Sequence, residues 1–195
     1  MDNDEITLKL KNTLKPGRFV HTLGVAYTAA SLAMRYDPSI MNKAFRAGLL
    51  HDCGKYLNDK ENIEFCEKNK IELTDIEKET PGLIHAKIGE FLAKLDYDED
   101  DKDIISAVRW HTTGRPGMSL LEKIVFISDY IEPNRNHDPD LPNIRQMAFS
   151  DIDRCLVRIY EHTLSHLCDT GKKQDPMTKE SYEFYRNELQ NNDRK

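Results

Sequence analysis

Ala47-Gly48-Leu49-Leu50-His51-Asp52-Cys53-Gly54-Lys55 sets an imidazole and a carboxylate side by side at the end of an apolar run. A carboxylate directly after Ala-Gly-Leu-Leu is partly withdrawn from water, and burying it unpaired is costly or forces it to protonate unless a cation meets it. His51 cannot both be that cation and ligate a metal, because ligation needs the neutral ring. A bound metal ion satisfies both side chains. The competing reading has His51 closing a helix C-terminus and Asp52 opening a turn with Gly54. The flanking sequence decides between them.

On both sides of this run apolar residues recur at helical spacing, and no segment sustains a strand-like alternation, so the chain reads as all-α. A short leading helix is expected over 6–14. Pro16-Gly17 opens a second, 16–36, with Val20, Leu23, Tyr27, Ala30 and Met34 as its apolar stripe and His21 beside it. Asp37-Pro38 breaks that helix and a third covers 39–52, stopped by Gly54. The charged region 58–80 holds one or two surface helices. Pro81-Gly82 starts a helix over 83–95, with His85 near its beginning and Ile88, Phe91, Leu92 and Leu95 on its packed face. Carboxylates at the end of the acidic run 96–103 favour a helix over 104–111. After a Gly- and Pro-marked loop, 112–117, Ser119 and Glu122 form a capping box for a helix over 120–131. A loop beyond Pro133 and through Pro142 leads to a long helix over 151–168, and a last helix follows Asp175-Pro176. His137 is expected in an exposed turn, and 192–195 to fray.

At 195 residues the chain suffices for one good core and is short for two, so a single domain over 1–195 is expected. The net charge of -6 and a pI near 5.7 argue against the basic stripe of a nucleic-acid binder. An acidic protein that binds an anionic small molecule needs a compact positive centre, and a metal ion is one. No run reaches the roughly 18 apolar residues of a membrane span, and Met1-Asp2-Asn3-Asp4-Glu5 is acidic where a signal peptide is basic and then apolar. A cytoplasmic location without membrane attachment is expected. Cys53, Cys66, Cys155 and Cys168 form no Cys-x-x-Cys pair and read as free thiols.

Within Lys123-Ile124-Val125-Phe126-Ile127-Ser128-Asp129-Tyr130-Ile131 one carboxylate interrupts an almost continuous apolar helix, which marks the helix as buried. Asp129 is a second acid in want of a cation, and neither i-4 nor i+4 is Lys or Arg. His21, His51 with Asp52, His85, His111 and Asp129 thus fall on core-facing or loop-mouth positions of separate helices. A lone histidine on an apolar face is ordinarily a satisfied core residue; five such positions in a small helical domain point to a metal centre. Mixed nitrogen and oxygen ligation suits first-row divalent ions without choosing among them. His162 and His166, an i, i+4 pair, lack the intervening Glu of a metalloprotease and are not counted in the centre.

In the order His21, His51-Asp52, Asp129 the chain resembles the HD-domain superfamily of metal-dependent phosphohydrolases. The segments Arg18-Phe19-Val20-His21-Thr22-Leu23-Gly24-Val25, Gly48 to Lys55, His85-Ala86, Val108 to Gly114 and Lys123 to Arg135 are similar to those of the YqeK-like bacterial symmetrical diadenosine tetraphosphate hydrolases. The motif core spans 18–135, with helices of 151–190 packed on it. The resemblance implies an HD-type helical bundle, a homodimer, and iron, as one or two ions, held by His21, His51, Asp52 and Asp129.

It also implies nucleotide contacts from His21, Thr22, Leu23 and Gly24, from Asp52, Cys53, Gly54 and Lys55, and from His85, His111, Thr112, Asp129 and Arg135. Near the C-terminus the family tends to His-Pro-x-Thr where this chain has Asp175-Pro176-Met177-Thr178, so contacts there are expected from the main chain of Pro176, Met177, Thr178 and Lys179. The expected chemistry is hydrolysis by an activated water, with Asp52 bridging metals or orienting that water. His85 and His111 serve a second metal or the polyphosphate, and Lys55 and Arg135 neutralise outer phosphates. Release of two ADP comes from the resemblance alone. Another nucleotide, such as a guanosine alarmone or a deoxynucleoside triphosphate, and a nucleotide sensor without turnover are the alternatives.

Overall fold

Helix starts follow local capping chemistry, and the computed structural model describes their outcome over residues 1–136 and 138–192. The expectations for His137 and for 193–195 fall outside the described residues. Helix α1 (Asn3–Thr13) begins three residues before its apolar pattern because Asp2 and Glu5 cap reciprocally. Helix α2 (Pro16–Tyr36) opens on Pro16, and α3 (Met41–Leu50) follows a short 3-10 turn at Pro38–Ile40. It stops at Leu50, so His51 and Asp52 lie in the turns that follow it rather than inside the helix.

Asn58 with Glu61 and Thr74 with Glu77 box the starts of α4 (Asp59–Asn69) and α5 (Asp75–Glu79). Next come α6 (His85–Asp96), α7 (Lys102–Trp110), capped by Asp101, and α8 (Leu120–Ile131), with the Ser119 and Glu122 box in place. The C-terminal part is α9 (Leu141–Ser150), α10 (Ile152–Asp169) and α11 (Pro176–Asn192). Among the described residues there is no strand, and the fold is all-α. No helix among them is long and apolar enough to cross a membrane.

Three local expectations are overturned. Helix α9 occupies residues assigned to a connecting loop. Pro142 sits in its first turn, where a missing N–H costs nothing, and Leu141, Ile144 and Ala148 form its buried side. The stripe assigned to the core face of α2 instead faces water: Val20, Tyr27 and Met34 are each more than half exposed. The buried side is His21, Thr22, Val25, Ala26, Ala29, Leu32 and Ala33. Small residues win because α3 approaches so closely that a Cβ on Gly48 would stand 2.6 Å from the Ala26 Cα. Leu95 likewise projects into solvent while Ile88, Gly89, Leu92 and Ala93 pack.

The core is built around α8, where Leu121, Ile124, Val125, Phe126, Ile127, Ser128 and Ile131 are buried. Tyr160 of α10 lies against Phe126 and stacks on Tyr185 of α11. The Tyr185 hydroxyl accepts from the Met118 amide and donates to the Arg115 carbonyl, tying α11 to the loop between α7 and α8.

Candidate metal centre

Four helix ends or faces deliver imidazoles to one place. His51, just past α3, and His111, just past α7, each point Nδ1 back at the carbonyl three residues earlier, Gly48 O at 2.7 Å and Val108 O at 2.7 Å. His85, the first residue of α6, does the same to Gly82 O at 2.6 Å. His21 lies mid-helix in α2, and its Nδ1 meets Glu132 Oε1 at 3.1 Å. A carbonyl or carboxylate can only accept, so each Nδ1 carries the proton and each Nε2 presents a lone pair.

Those four nitrogens surround Asp52, which is 2 % exposed. Its Oδ2 lies 3.5 Å from His51 Nε2 and 3.8 Å from His21 Nε2, while Oδ1 lies 3.4 Å from His85 Nε2 and 3.6 Å from His111 Nε2. Asp129 Oδ1 stands 3.0 Å from His21 Nε2 and 4.0 Å from His51 Nε2. Ligands adjacent on an ion with bonds near 2.1 Å are about 3 Å apart or slightly more. The buried Nε2 atoms of His21 and His51 have no hydrogen-bond partner at all, the 3.0 Å contact being out of alignment. Two orphaned lone pairs beside two carboxylates form a donor set that a cation would satisfy, and its nitrogen and oxygen atoms fit a first-row divalent ion. On the other side of Asp52, His85 Nε2 and His111 Nε2 approach to 3.0 Å, with the Thr112 hydroxyl 3.2 and 3.1 Å from them.

Electrostatics agree with ligation. Burial alone would raise the Asp52 carboxyl, but the imidazoles of His51, His111 and His85 hold it well below the usual carboxylate range. Asp129 is likewise held below its ordinary value against its burial, by His21, His51 and Arg135. Burial, and then the Lys55 charge, push the His85 imidazole down to about 3, so the ring is neutral near pH 7.

Two arginines complete the picture. Arg18 Nη1 pairs with Asp52 Oδ2 at 2.7 Å and Arg135 Nη2 with Asp129 Oδ1 at 2.7 Å. The sequence search for a cation within one helical turn of Asp129 missed Arg135 because it reaches back from the loop after α8. Arg18 and Glu132 were not singled out either. Both carried a signal: Arg18 stands at i-3 from His21 on the same helix, and Glu132 is an acid at the end of the most apolar helix.

Among the expected nucleotide contacts, Lys55 reaches the site, its Nζ 3.0 Å from His85 Nδ1. Thr112, Pro176 and Met177 line a cavity of about 280 Å³ with Trp110 and Leu83. Asp175, whose departure from the family pattern left its role open, accepts from the Met177 amide at 2.8 Å and so starts α11. The structure turns the side chains of Thr22 and Cys53 into the core, leaving only their main chain for a ligand. Gly54 lies against the His85 carbonyl and Gly89, Gly24 lies against Glu132, and Leu23 is half-buried. Thr178 is buried, and Lys179 extends to solvent near Glu183. His162 is engaged by Asp138 and Asp140 and takes no part in the centre.

With four imidazoles and two carboxylates in this order around one point, the HD domain family matches residues 18–134. The chain belongs to that family. It is 34 % identical over 185 residues to a symmetrical bis(5'-nucleosyl)-tetraphosphatase of Bacillus subtilis, covering 95 % of this chain and 96 % of that protein. A protein of the same name from Staphylococcus aureus is 32 % identical, with 80 % of each chain covered. An HD superfamily hydrolase from Clostridium acetobutylicum, described as involved in NAD metabolism, superposes with a TM-score of 0.91 at 38 % identity, over 96 % of this chain and 98 % of that one.

Proposed function

We propose that this HD-domain chain is a metal-dependent phosphohydrolase that splits diadenosine tetraphosphate symmetrically into two ADP. The observation that carries the reading is the convergence of four Nε2 lone pairs on a two-sided Asp52, with Asp129 opposite. The names of relatives similar over nearly the whole chain support the substrate. His21, His51, Asp52 and Asp129 would hold the metal, which when bound supplies a Lewis acid and lowers the pKa of water from about 15.7 toward about 7.

The remaining steps belong to side chains. Asp52, an acceptor-only carboxylate with Oδ2 toward His21 and His51 and Oδ1 toward His85 and His111, would help hold the ion and orient the attacking water. His85, neutral by virtue of its surroundings, and His111 would hold the phosphoryl group or a second ion. Lys55 and Arg135 offset charge on the outer phosphoryl oxygens. The cavity bounded by Trp110, Thr112, Pro176 and Met177 takes a nucleoside end.

Iron is the metal of this reading, the protein is cytoplasmic and its partner is the small dinucleotide rather than nucleic acid. The uncovered Val20, Tyr27 and Met34 stripe supports a homodimer, which sedimentation would test.

The test is anaerobic incubation with diadenosine tetraphosphate and ferrous iron, beside elemental analysis of the purified protein. ADP should be the only nucleotide product; ATP with AMP would refute symmetrical cleavage, and faster turnover of a guanosine alarmone or a deoxynucleoside triphosphate would reassign the substrate. Asp129→Ala and His51→Ala should lose both bound metal and hydrolysis, whereas His162→Ala should keep both.

A further inference from the structure

Tyr160 of α10 is fully buried, packed against Phe126 and stacked on Tyr185. Ring packing of that kind needs no hydroxyl, and a buried phenol has to find polar partners for the one it carries. The partners it finds belong to opposite walls of the cavity that Trp110 lines. The hydroxyl donates to the Thr113 carbonyl at 3.3 Å, in the loop after α7. It is also within hydrogen-bond reach of Ser181, whose own hydroxyl donates to the Met177 carbonyl at 2.7 Å in the first turn of α11. Thr113 and Met177 both line the cavity, and among the described residues none of α10 does, so Tyr160 acts on a ligand there only through the two walls.

The loop is shaped to receive this phenol. Gly114 has a φ of +64°, and a Cβ on it would stand 1.8 Å from the phenol oxygen. The Gly114 amide closes on the Trp110 carbonyl at 2.9 Å, so the turn that meets Tyr160 also finishes the helix that carries Trp110. A nucleobase is a rigid plate, and its affinity depends on the spacing of the walls around it. A flexible polyphosphate chain held at the metal is indifferent to that spacing. Walls set in advance also spare the ligand the entropy of ordering them.

We propose that Tyr160 is a positioning residue for nucleoside binding: its hydroxyl ties the loop after α7 to the start of α11 and so fixes the width of the cavity between them. This rests on the reading of that cavity as the place of a nucleoside end.

The experiment uses the metal-loaded full chain. Trp110 is the only tryptophan of the chain, so its emission reports ADP entering the cavity, while inorganic tripolyphosphate, followed calorimetrically, reads the phosphate side alone. Tyr160→Phe keeps the ring and should weaken ADP about tenfold, as the loss of one buried hydrogen bond does. The KM for diadenosine tetraphosphate should rise with kcat nearly unchanged, and tripolyphosphate affinity and metal content should stay as in wild type. Ser181→Ala cuts the link at the other wall; it should show the same selective loss, and it decides the matter if the Phe variant folds poorly. Tyr36→Phe is the control, because it removes a phenol-to-carbonyl hydrogen bond of the same kind, to Ala148 at 2.8 Å between α2 and α9. It should lower the melting temperature without touching ADP.

The proposal is overturned if ADP binds these two cavity variants as it binds wild type, if ADP and tripolyphosphate weaken together, or if Tyr36→Phe weakens ADP as much. A wild type whose Trp110 emission ignores ADP would overturn it along with the assignment of the cavity. Absence of hydrolysis in a protein that still binds ADP would strike the hydrolase reading alone.

Discussion

Glu132 is 1 % exposed and spends its charge inside the protein: one oxygen meets the His21 ring and the other is fixed by Asn134. Gly24, one turn along α2 from His21, leaves the space this carboxylate occupies, since any Cβ there would collide with it. The carboxylate thereby sets the tautomer and tilt of His21, the only one of the four imidazoles that lacks a carbonyl at i-3 to do so. Outer carboxylates of this kind raise ligand basicity, and their loss typically costs about 10- to 100-fold in metal affinity. Glu132→Gln should therefore bind metal about tenfold or more weakly with its fold intact, as measured by chelator competition and circular dichroism. Unchanged affinity would mean that packing alone orients His21.

At the scale of elements, the centre depends on how closely α2 and α3 approach. Gly48 backs onto the Ala26 backbone, where a methyl group would face Cα at 2.6 Å and the amide nitrogen at 2.9 Å. Main chain cannot move aside as a flexible side chain can, so Gly48→Ala should cost about 1–3 kcal/mol by overpacking. It should also weaken metal binding, because it spreads His21 from His51; urea unfolding and metal titration read the two effects.

Helix α8 is pinned at its start by Glu122, which is nearly buried, paired with Arg115 and hydrogen-bonded to Ser106 and the Ser119 amide. Burial alone would raise its pKa, and these partners together lower it. A carboxyl depressed in the folded state contributes stability above its unfolded value near 4.3, and that contribution is lost as pH falls through the lower folded value. The gap in unfolding free energy between wild type and Glu122→Gln should thus be full near pH 6–7 and close on acidification below about 4. A gap independent of pH would assign the effect to the capping geometry alone.

For the whole molecule, buried acids that await a cation make stability a function of metal. An ion bound only by the folded state, at a hundred times its dissociation constant, adds about 2.7 kcal/mol, so chelation should lower the melting temperature and ferrous or another divalent ion restore it. Because α11 is tied to the loop between α7 and α8 through Tyr185, unfolding should follow a single transition by both fluorescence and circular dichroism.

The sequence by itself determined the helical class, most helix starts and the ligand inventory, since capping residues, prolines and the 3.6-residue period act over one or two turns, and an imidazole or carboxylate in an apolar run is visible without a fold. It could not say which face of α2 turns inward: Val20, Tyr27 and Met34 are the larger apolar residues, but the close packing of α3 rewards Ala26, Ala29 and Ala33. Nor could it show that Arg18 reaches Asp52, that Glu132 holds His21 across 111 positions, or that Asp52 offers a different oxygen to each pair of histidines. Those contacts join residues distant in the chain, and only the packing of α2, α3, α6, α7 and α8 around a common point brings them within bonding distance.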